Sequence, residues 1–169
     1  MAIIYTDILK HWTACWWEAV LSGILLVIIG RLINQKYNRK NISCKLLFAD
    51  GVFLCFFVYV TLVSRSVGSR REVQFLPFVS FDIRSEDFHY VVENVLFFIP
   101  FGILLYMTMH AYGEKCSGKT ILIASLLSSI SVELLQYAFA CGKSETDDVI
   151  ANAAGAMIGY MLVKCSSFD

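Results

Sequence analysis

Charged residues are scarce in this sequence: they make up 17% of its 169 residues, whereas soluble domains usually have about a quarter. The 14 basic and 14 acidic side chains cancel, so no net positive field would attract nucleic acid. Hydrophobic residues reach 57% and mean hydropathy is +0.64, more than one globular core of so short a chain can bury. These values argue against disorder and against a basic nucleic-acid-binding domain, and they leave an integral membrane protein.

Metal-binding and disulfide patterns are also missing from the sequence. The six cysteines form no CxxC pair and have no Cys/His spacing suited to zinc. His89 and His110 lack ligand-like spacing to another His or Cys. We therefore expect no disulfide framework, no metal site built on histidine and no cofactor.

Long apolar segments predict helices that cross a membrane. Such a helix needs about 20 mostly apolar residues, because the hydrocarbon layer is about 30 Å thick and a helix rises about 1.5 Å per residue. The segments that approach this length are 14–33, 45–63, 91–110, 120–140 and 147–163, the last taking its first turn from Glu145 and Thr146. Inside lipid, backbone polar groups must bond within their own segment, so we expect helices. The predicted fold is all-α, a polytopic membrane helix bundle of about five transmembrane helices.

These spans also predict the domain organisation and the orientation. We expect a single membrane domain over 1–169, with two spans in 1–63, an outer loop over 64–90 and a three-span core over 91–169. Basic residues favour the cytoplasmic side of a membrane. One side carries Arg31, Lys36, Arg39, Lys40, Lys45, Lys115, Lys119 and Lys164. The other side carries Lys10, Arg65, Arg70, Arg71, Arg84 and Lys143. This bias predicts a multi-pass cell-membrane protein with an outside N-terminus and a cytoplasmic C-terminus.

The predicted outer loop is long for a compact helical protein, and long loops are often functional. Its stretch 75–79, which includes Pro77 and Phe78, is apolar although arginines flank it. Two interpretations have comparable weight. The stretch dips into or lies on the outer membrane interface, or it forms a plug over the helix bundle.

Polar side chains inside the last three spans share one depth. Asn94 lies in the first turn of the third span, and Glu133 and Gln136 share a face near the outer end of the fourth. Asp148 and Asn152 share a face where the fifth span begins. Because polar residues in a membrane are costly, this grouping favours a polar cavity open to the outer face. The structural alternative is that they bond neighbouring helices together, at about 0.6 kcal/mol per bond.

Other residues have structural interpretations. Asp147 suits the start of a helix, where a carboxylate meets the positive end of the dipole, as well as it suits the cavity. Gly155 and Gly159 form a GxxxG pattern, which predicts close approach of another helix. Arg31 and Asp50 lie near the same end of the first two spans, and we expect them to form a stabilising pair.

An ordered set of short motifs carries a resemblance to a known family. The motifs are Leu76-Pro77-Phe78, the stretch from Asn94 to Gly102, Glu133-Leu134-Leu135-Gln136, Asp148-Val149-Ile150-Ala151-Asn152, and Gly155 with Gly159. From about residue 76 to its end, the chain resembles the VanZ-like family of bacterial membrane proteins. Members often have Asp where this chain has Glu145, and an Arg near the position of Lys143.

The resemblance implies a cell-surface role, since the family's founding member is associated with resistance to the glycopeptide teicoplanin. Our first hypothesis is a binding or modulatory protein that engages the polar headgroup of a lipid or a lipidated drug. Arg65, Arg70 and Arg71 would attract the phosphates of lipid-linked wall precursors. The expected partners are membrane lipids and a lipid-linked cell-wall precursor or an acylated glycopeptide, with no nucleic acid. The predicted binding residues are Asn94, Glu133, Gln136, Asp147, Asp148, Asn152, Pro77 and Phe78.

The alternative hypothesis is an intramembrane enzyme that modifies a lipid-linked or cell-envelope substrate. Glu133, Asp147 and Asp148 would hold a divalent ion or act as general acids and bases. No nucleophile–base pair or known metal motif supports it. A third hypothesis is a proton-coupled transporter with Glu133 as relay, which five spans without an internal repeat disfavour.

Overall fold

The computed structural model describes residues 2–37, 43–81 and 87–166. Within these ranges, five helices are long and apolar enough to cross a membrane, which confirms the predicted all-α, multi-pass membrane fold. The helices are α1 (Ala2–Tyr37), α2 (Cys44–Val58), α3 (Phe88–Ala111), α4 (Gly118–Phe139) and α5 (Thr146–Ser166), and a π-helical turn, Tyr59–Val63, continues α2. The basic residues Arg39, Lys40 and Arg84, used in predicting the orientation, lie outside the described residues.

A short parallel pair of strands, which the sequence analysis did not predict, joins two distant connections. Strand β1 (Arg70–Gln74) pairs with β2 (Cys141–Glu145), with Arg70 opposite Cys141 and Gln74 opposite Glu145. Glu145 was expected in the first turn of α5, and this prediction was wrong because its backbone belongs to β2. The pairing holds the segment after α2 against the connection between α4 and α5.

The first of two compact units contains Met1–Val60 and Leu104–Cys116. Here α1 and α2 pack closely, since a Cβ at Gly51 would meet the backbone of Ser22 and Gly23. The predicted pair of Arg31 and Asp50 was wrong. Asp50 accepts a hydrogen bond of 2.7 Å from the Thr108 hydroxyl. The Arg31 side chain instead donates to the Cys44 thiol, with its Nη2 3.2 Å from the sulfur.

The second unit contains Thr61–Ile103 and Ser117–Asp169. In it α3 and α5 touch through their backbones: a Cβ at Gly155 would collide with the Val95 carbonyl, and one at Gly159 with the Ile99 carbonyl. Gly102 of α3 faces the Ala156 carbonyl in the same way. The close approach predicted from GxxxG is confirmed. That residues 1–169 form one membrane domain stays a prediction.

Candidate polar site

Helices α4 and α5 run antiparallel and place polar side chains on facing sides. The Asn152 Nδ2 donates a hydrogen bond of 2.8 Å to the Ser129 hydroxyl. One turn toward the C-terminal end of α4 and the N-terminal end of α5, the charge of Asp148 acts on the carboxylate of Glu133. Ser129 and Glu133 share a face of α4, and Asp148 and Asn152 share a face of α5, because each pair is four residues apart. Glu133 therefore lies on the side of α4 that faces Asn152.

The backbone of β2 contributes to the surroundings of Glu133. Its Oε2 accepts a hydrogen bond of 3.0 Å from the backbone N–H of Glu145. The hydroxyl of Ser144 donates to the backbone carbonyl of Glu133 at 2.9 Å. These bonds fix the end of α4 and the orientation of the Glu133 side chain.

Gln136 is nearly enclosed, with 2% of its surface exposed. Its Nε2 donates to the Thr61 carbonyl at 2.9 Å, inside the π-helical turn that continues α2. The Oε1 of Gln136 and the Oδ1 of Asn152 are buried and have no hydrogen-bond partner within the described ranges. Buried polar atoms usually have a hydrogen-bond partner, so two buried acceptor oxygens without one, next to carboxylates, are unusual and call for an explanation.

Arg65 supplies a positive charge to the same region. Its charge acts on both Glu133 and Asp148. The guanidinium lies against Gly142. A Cβ added at Gly142 would be 2.8 Å from Nη1 of Arg65 and 3.6 Å from Oε1 of Gln136. From the sequence, Arg65 was expected only to attract phosphates. Its position just after an apolar span was the one sequence feature that could have indicated a place near the polar side chains. We call Glu133, Gln136, Asp148, Asn152 and Arg65 the polar cluster.

Asp147 holds the predicted outer loop in place. Its side chain is 1% exposed, and its two carboxylate oxygens accept hydrogen bonds from the backbone N–H groups of Phe78 and Ser80. Both oxygens are thereby engaged by the loop. Asp147 thus positions backbone, whereas Asp148 faces the polar cluster.

Residues that the sequence analysis did not select reinforce this attachment. Ser80 is 2% exposed, and its hydroxyl donates to Glu145 at 3.0 Å. Glu145 also forms an ion pair of 2.6 Å with Lys143. The hydroxyl of Thr146 donates toward the carbonyls of Gln74 and Phe75. Local sequence patterns could not predict the contacts of Ser80 and Thr146, because their partners lie about 65 to 72 residues away.

The stretch 75–79, which we call the apolar loop, presents its side chains outward. Phe75 is 81% exposed, Leu76 72% and Phe78 64%. Phe78 adopts a positive φ of 66°, an uncommon conformation for a bulky residue, and its N–H is held by Asp147. A plug would bury these side chains, so their exposure favours the interfacial interpretation for the apolar loop, Pro77 included.

Asn94 lies half-buried in α3, one residue before Val95, whose carbonyl lies against Gly155. Its membership of the polar cluster stays a prediction. Over the described residues, no group of three or more His, Cys, Asp or Glu side chains has an arrangement that would hold a metal ion. The carboxylates, amides and guanidinium of the polar cluster can form hydrogen bonds and charge pairs, and the carboxylates can exchange protons.

Within the part of the chain that the structure describes, five helices are able to cross a membrane and two of them face each other through buried polar side chains, which defines a multi-pass membrane protein with a polar cluster between its helices. The chain belongs to the VanZ/LLP1 family, whose family model matches residues 46–167. The resemblance seen in the sequence is thereby confirmed, and the match also takes in α2.

One curated relative illustrates the similarity. The chain is 31% identical to "Protein VanZ" of Enterococcus faecium over 98 residues, 58% of this chain. It spans only 56% of the length of that relative. No solved structure is significantly similar to the chain.

Proposed function

We propose that this protein binds the polar part of an acylated, donor-rich ligand at the cell surface and thereby lowers surface binding of lipoglycopeptides such as teicoplanin. Lipid-linked envelope precursors are the second source of the same chemistry. The observation that carries the proposal is the pair of buried, unpartnered oxygens of Gln136 and Asn152 beside the carboxylates of Glu133 and Asp148. Such acceptors are costly unless a ligand supplies donors.

The apolar loop supplies the second half of the proposal. Asp147 attaches it directly to the first turn of α5, one residue from Asp148. Exposed aromatic and aliphatic side chains there offer contact area to an acyl chain, at about 25 cal/mol per Å² of apolar surface buried. A ligand with a polar head and a fatty chain matches a polar cluster next to an apolar surface.

The alternative is an intramembrane enzyme that modifies a lipid-linked or cell-envelope substrate. Its supporting observation is the coupling of the two carboxylates of Glu133 and Asp148, an arrangement that suits general acid–base catalysis. Turnover of a lipid-linked substrate by the purified protein, lost in Asp148→Asn, would favour the enzyme. Binding without turnover would favour the modulatory role.

The decisive variant is Glu133→Gln, which keeps the shape of the side chain and removes its charge. In bacteria that express the chain, we expect reduced surface labelling by a fluorescent teicoplanin, and we expect Glu133→Gln to restore labelling to the level of the empty host. A second arm measures capture of a radiolabelled lipid-linked precursor by the purified protein.

The matched control is Glu114→Gln, since Glu114 is exposed and lies outside the membrane-spanning helices. It should behave like the unchanged protein in both arms. Unchanged surface labelling in cells that hold the unchanged protein in their membranes, together with no capture of precursor, would contradict the proposal.

The proposed orientation places the apolar loop outside the cell and the C-terminus in the cytoplasm. In a chain whose six cysteines are replaced by serine, we expect Phe75→Cys to react with a membrane-impermeant maleimide on intact cells. Glu114→Cys, on the connection between α3 and α4, should react only after the cells are permeabilised. The reverse pattern would turn the polar cluster toward the cytoplasm and rule out direct capture of extracellular drugs.

A further inference from the structure

Two of the four carboxylates near the polar cluster are already neutralised or engaged. Glu145 forms its ion pair with Lys143 and accepts a hydrogen bond from Ser80. Asp147 accepts two backbone N–H groups, one for each oxygen. Neither carboxylate needs a ligand, so both belong to the framework that holds the loop and β2.

The other two carboxylates lie in the electrostatic field of one guanidinium. Glu133 and Asp148 repel each other, and Arg65 acts on both of them. Lys143 also acts on Asp148, but its ammonium is 2.6 Å from the carboxylate of Glu145. When both are ionised, these two carboxylates exceed the charge of the one guanidinium by one negative charge. A ligand that complements them brings a positive charge.

The unpaired hydrogen-bonding atoms of the polar cluster also favour a ligand of this kind. The amide of Gln136 donates to a carbonyl, that of Thr61, and this identifies its nitrogen; its other atom is therefore an acceptor. That oxygen is buried in a residue that is 2% exposed, and it has no hydrogen-bond partner within the described ranges. The Oδ1 of Asn152, a residue that is 6% exposed, is also buried and has no hydrogen-bond partner within those ranges. Both unpaired atoms are acceptors, so a complementary ligand must supply hydrogen-bond donors.

We propose that the polar cluster recognises a protonated amine on the head of an amphiphile, such as an alkylammonium or an amino sugar bearing a fatty chain. This inference rests on the proposed function and names the chemistry of its ligand. An ammonium group has three donors and no acceptor, and it carries the missing positive charge. A phosphate would instead present acceptor oxygens and negative charge to Glu133 and Asp148.

Arg71, which the sequence analysis assigned to phosphate, has other contacts. Its Nη2 donates to the Ala138 carbonyl at 3.3 Å, and its guanidinium lies 5.5 Å from the centre of the Tyr137 ring. The charge of Arg65 acts on the carboxylates of Glu133 and Asp148. Arg71 is thus held by a backbone carbonyl and an aromatic ring, and the carboxylates near Arg65 would repel a phosphate, which supports the amine over the phosphate.

The test compares three probes that share one chain and differ only in the head: dodecylammonium, dodecyl phosphate and the neutral dodecyl glycerol ether. Native mass spectrometry of the full chain, released from a neutral detergent, counts bound probe over a concentration series. We expect dodecylammonium to bind about tenfold more tightly than dodecyl phosphate, as charge-assisted hydrogen bonds predict. Equal or tighter binding of the phosphate would overturn the proposal, and this ranking needs no variant.

Variants then separate this inference from the proposed function. Glu133→Gln and Asp148→Asn should each weaken dodecylammonium about tenfold and leave the neutral ether within about threefold, whereas Glu114→Gln should change nothing. If both variants weaken all three probes equally, the cluster binds amphiphiles without preferring an amine, and only the further inference fails. If no probe responds to either variant, the proposed function fails with it.

Discussion

Replacing Gly155 by alanine is expected to destabilise the protein by about 3 kcal/mol, the upper part of the usual range for overpacking. The added Cβ would collide with the backbone carbonyl of Val95 on α3, and backbone cannot give way as the end of a side chain can. The two helices would have to separate, which also loosens the contacts at Gly102 and Gly159. Helix propensity alone predicts the opposite sign, since alanine is favoured over glycine by about 1 kcal/mol.

The matched control is Gly118→Ala in α4. A Cβ there would approach only the side chains of Tyr160 and Met157, at 3.3 and 3.4 Å. These side chains can shift by a few tenths of an ångström, so this variant should stay within about 0.5 kcal/mol of the unchanged protein. Unfolding in detergent micelles, followed by circular dichroism, compares the two. A Gly155→Ala protein as stable as the control would contradict the backbone contact between α3 and α5.

The sequence allowed the membrane spans to be predicted well because the hydrocarbon layer sets their length. The fourth span was expected over 120–140, and α4 runs over Gly118–Phe139. Helix ends differ by a few residues where local bonds decide them. Ser117, for example, caps α4 by accepting from the backbone N–H of Thr120, which moves the start of the helix ahead of the apolar run.

The strand pair could not be predicted in this way. Strand β1 reads Arg-Arg-Glu-Val-Gln and β2 reads Cys-Gly-Lys-Ser-Glu, and neither shows the apolar alternation of a half-buried strand. Each strand exists because the other, 71 positions along the chain, satisfies its backbone groups. The local sequence of one strand therefore cannot predict a pairing with so distant a partner.

The residues of the candidate site likewise fall into those that spacing within one helix could predict and those that depend on distant parts of the chain. Spacing along single helices was enough to group Glu133 with Gln136 and Asp148 with Asn152, and antiparallel packing brings these pairs to facing sides. Arg65 lies on an irregular segment, so its approach to both carboxylates could not be read from any period. Asp147 was ambiguous from the sequence, because either a helix dipole or a ligand explains an acidic residue in a first turn. Its partners turn out to be loop N–H groups.

Removing the carboxylate of Asp147 should therefore have a large and local effect. Asp147→Ala leaves the N–H groups of Phe78 and Ser80 without their acceptor. Each orphaned donor costs about 1 to 3 kcal/mol, so for two donors we expect a loss of about 2 to 6 kcal/mol, mostly as release of residues 75–80. Chymotrypsin should then cut the apolar loop at its exposed phenylalanines many times faster than in the unchanged protein.

A graded comparison separates release of this loop from general unfolding. Asp147→Asn keeps one accepting oxygen, so it should retain one of the two backbone bonds and be cut at an intermediate rate. Glu114→Gln is the charge-removing control, and it should be cut as slowly as the unchanged protein. If the loop were still resistant in Asp147→Ala, the hydrogen bonds to Phe78 and Ser80 would not be what holds it. The apolar surface beside Asp148 would then have to be positioned by the β1–β2 pairing and by the hydroxyl of Thr146.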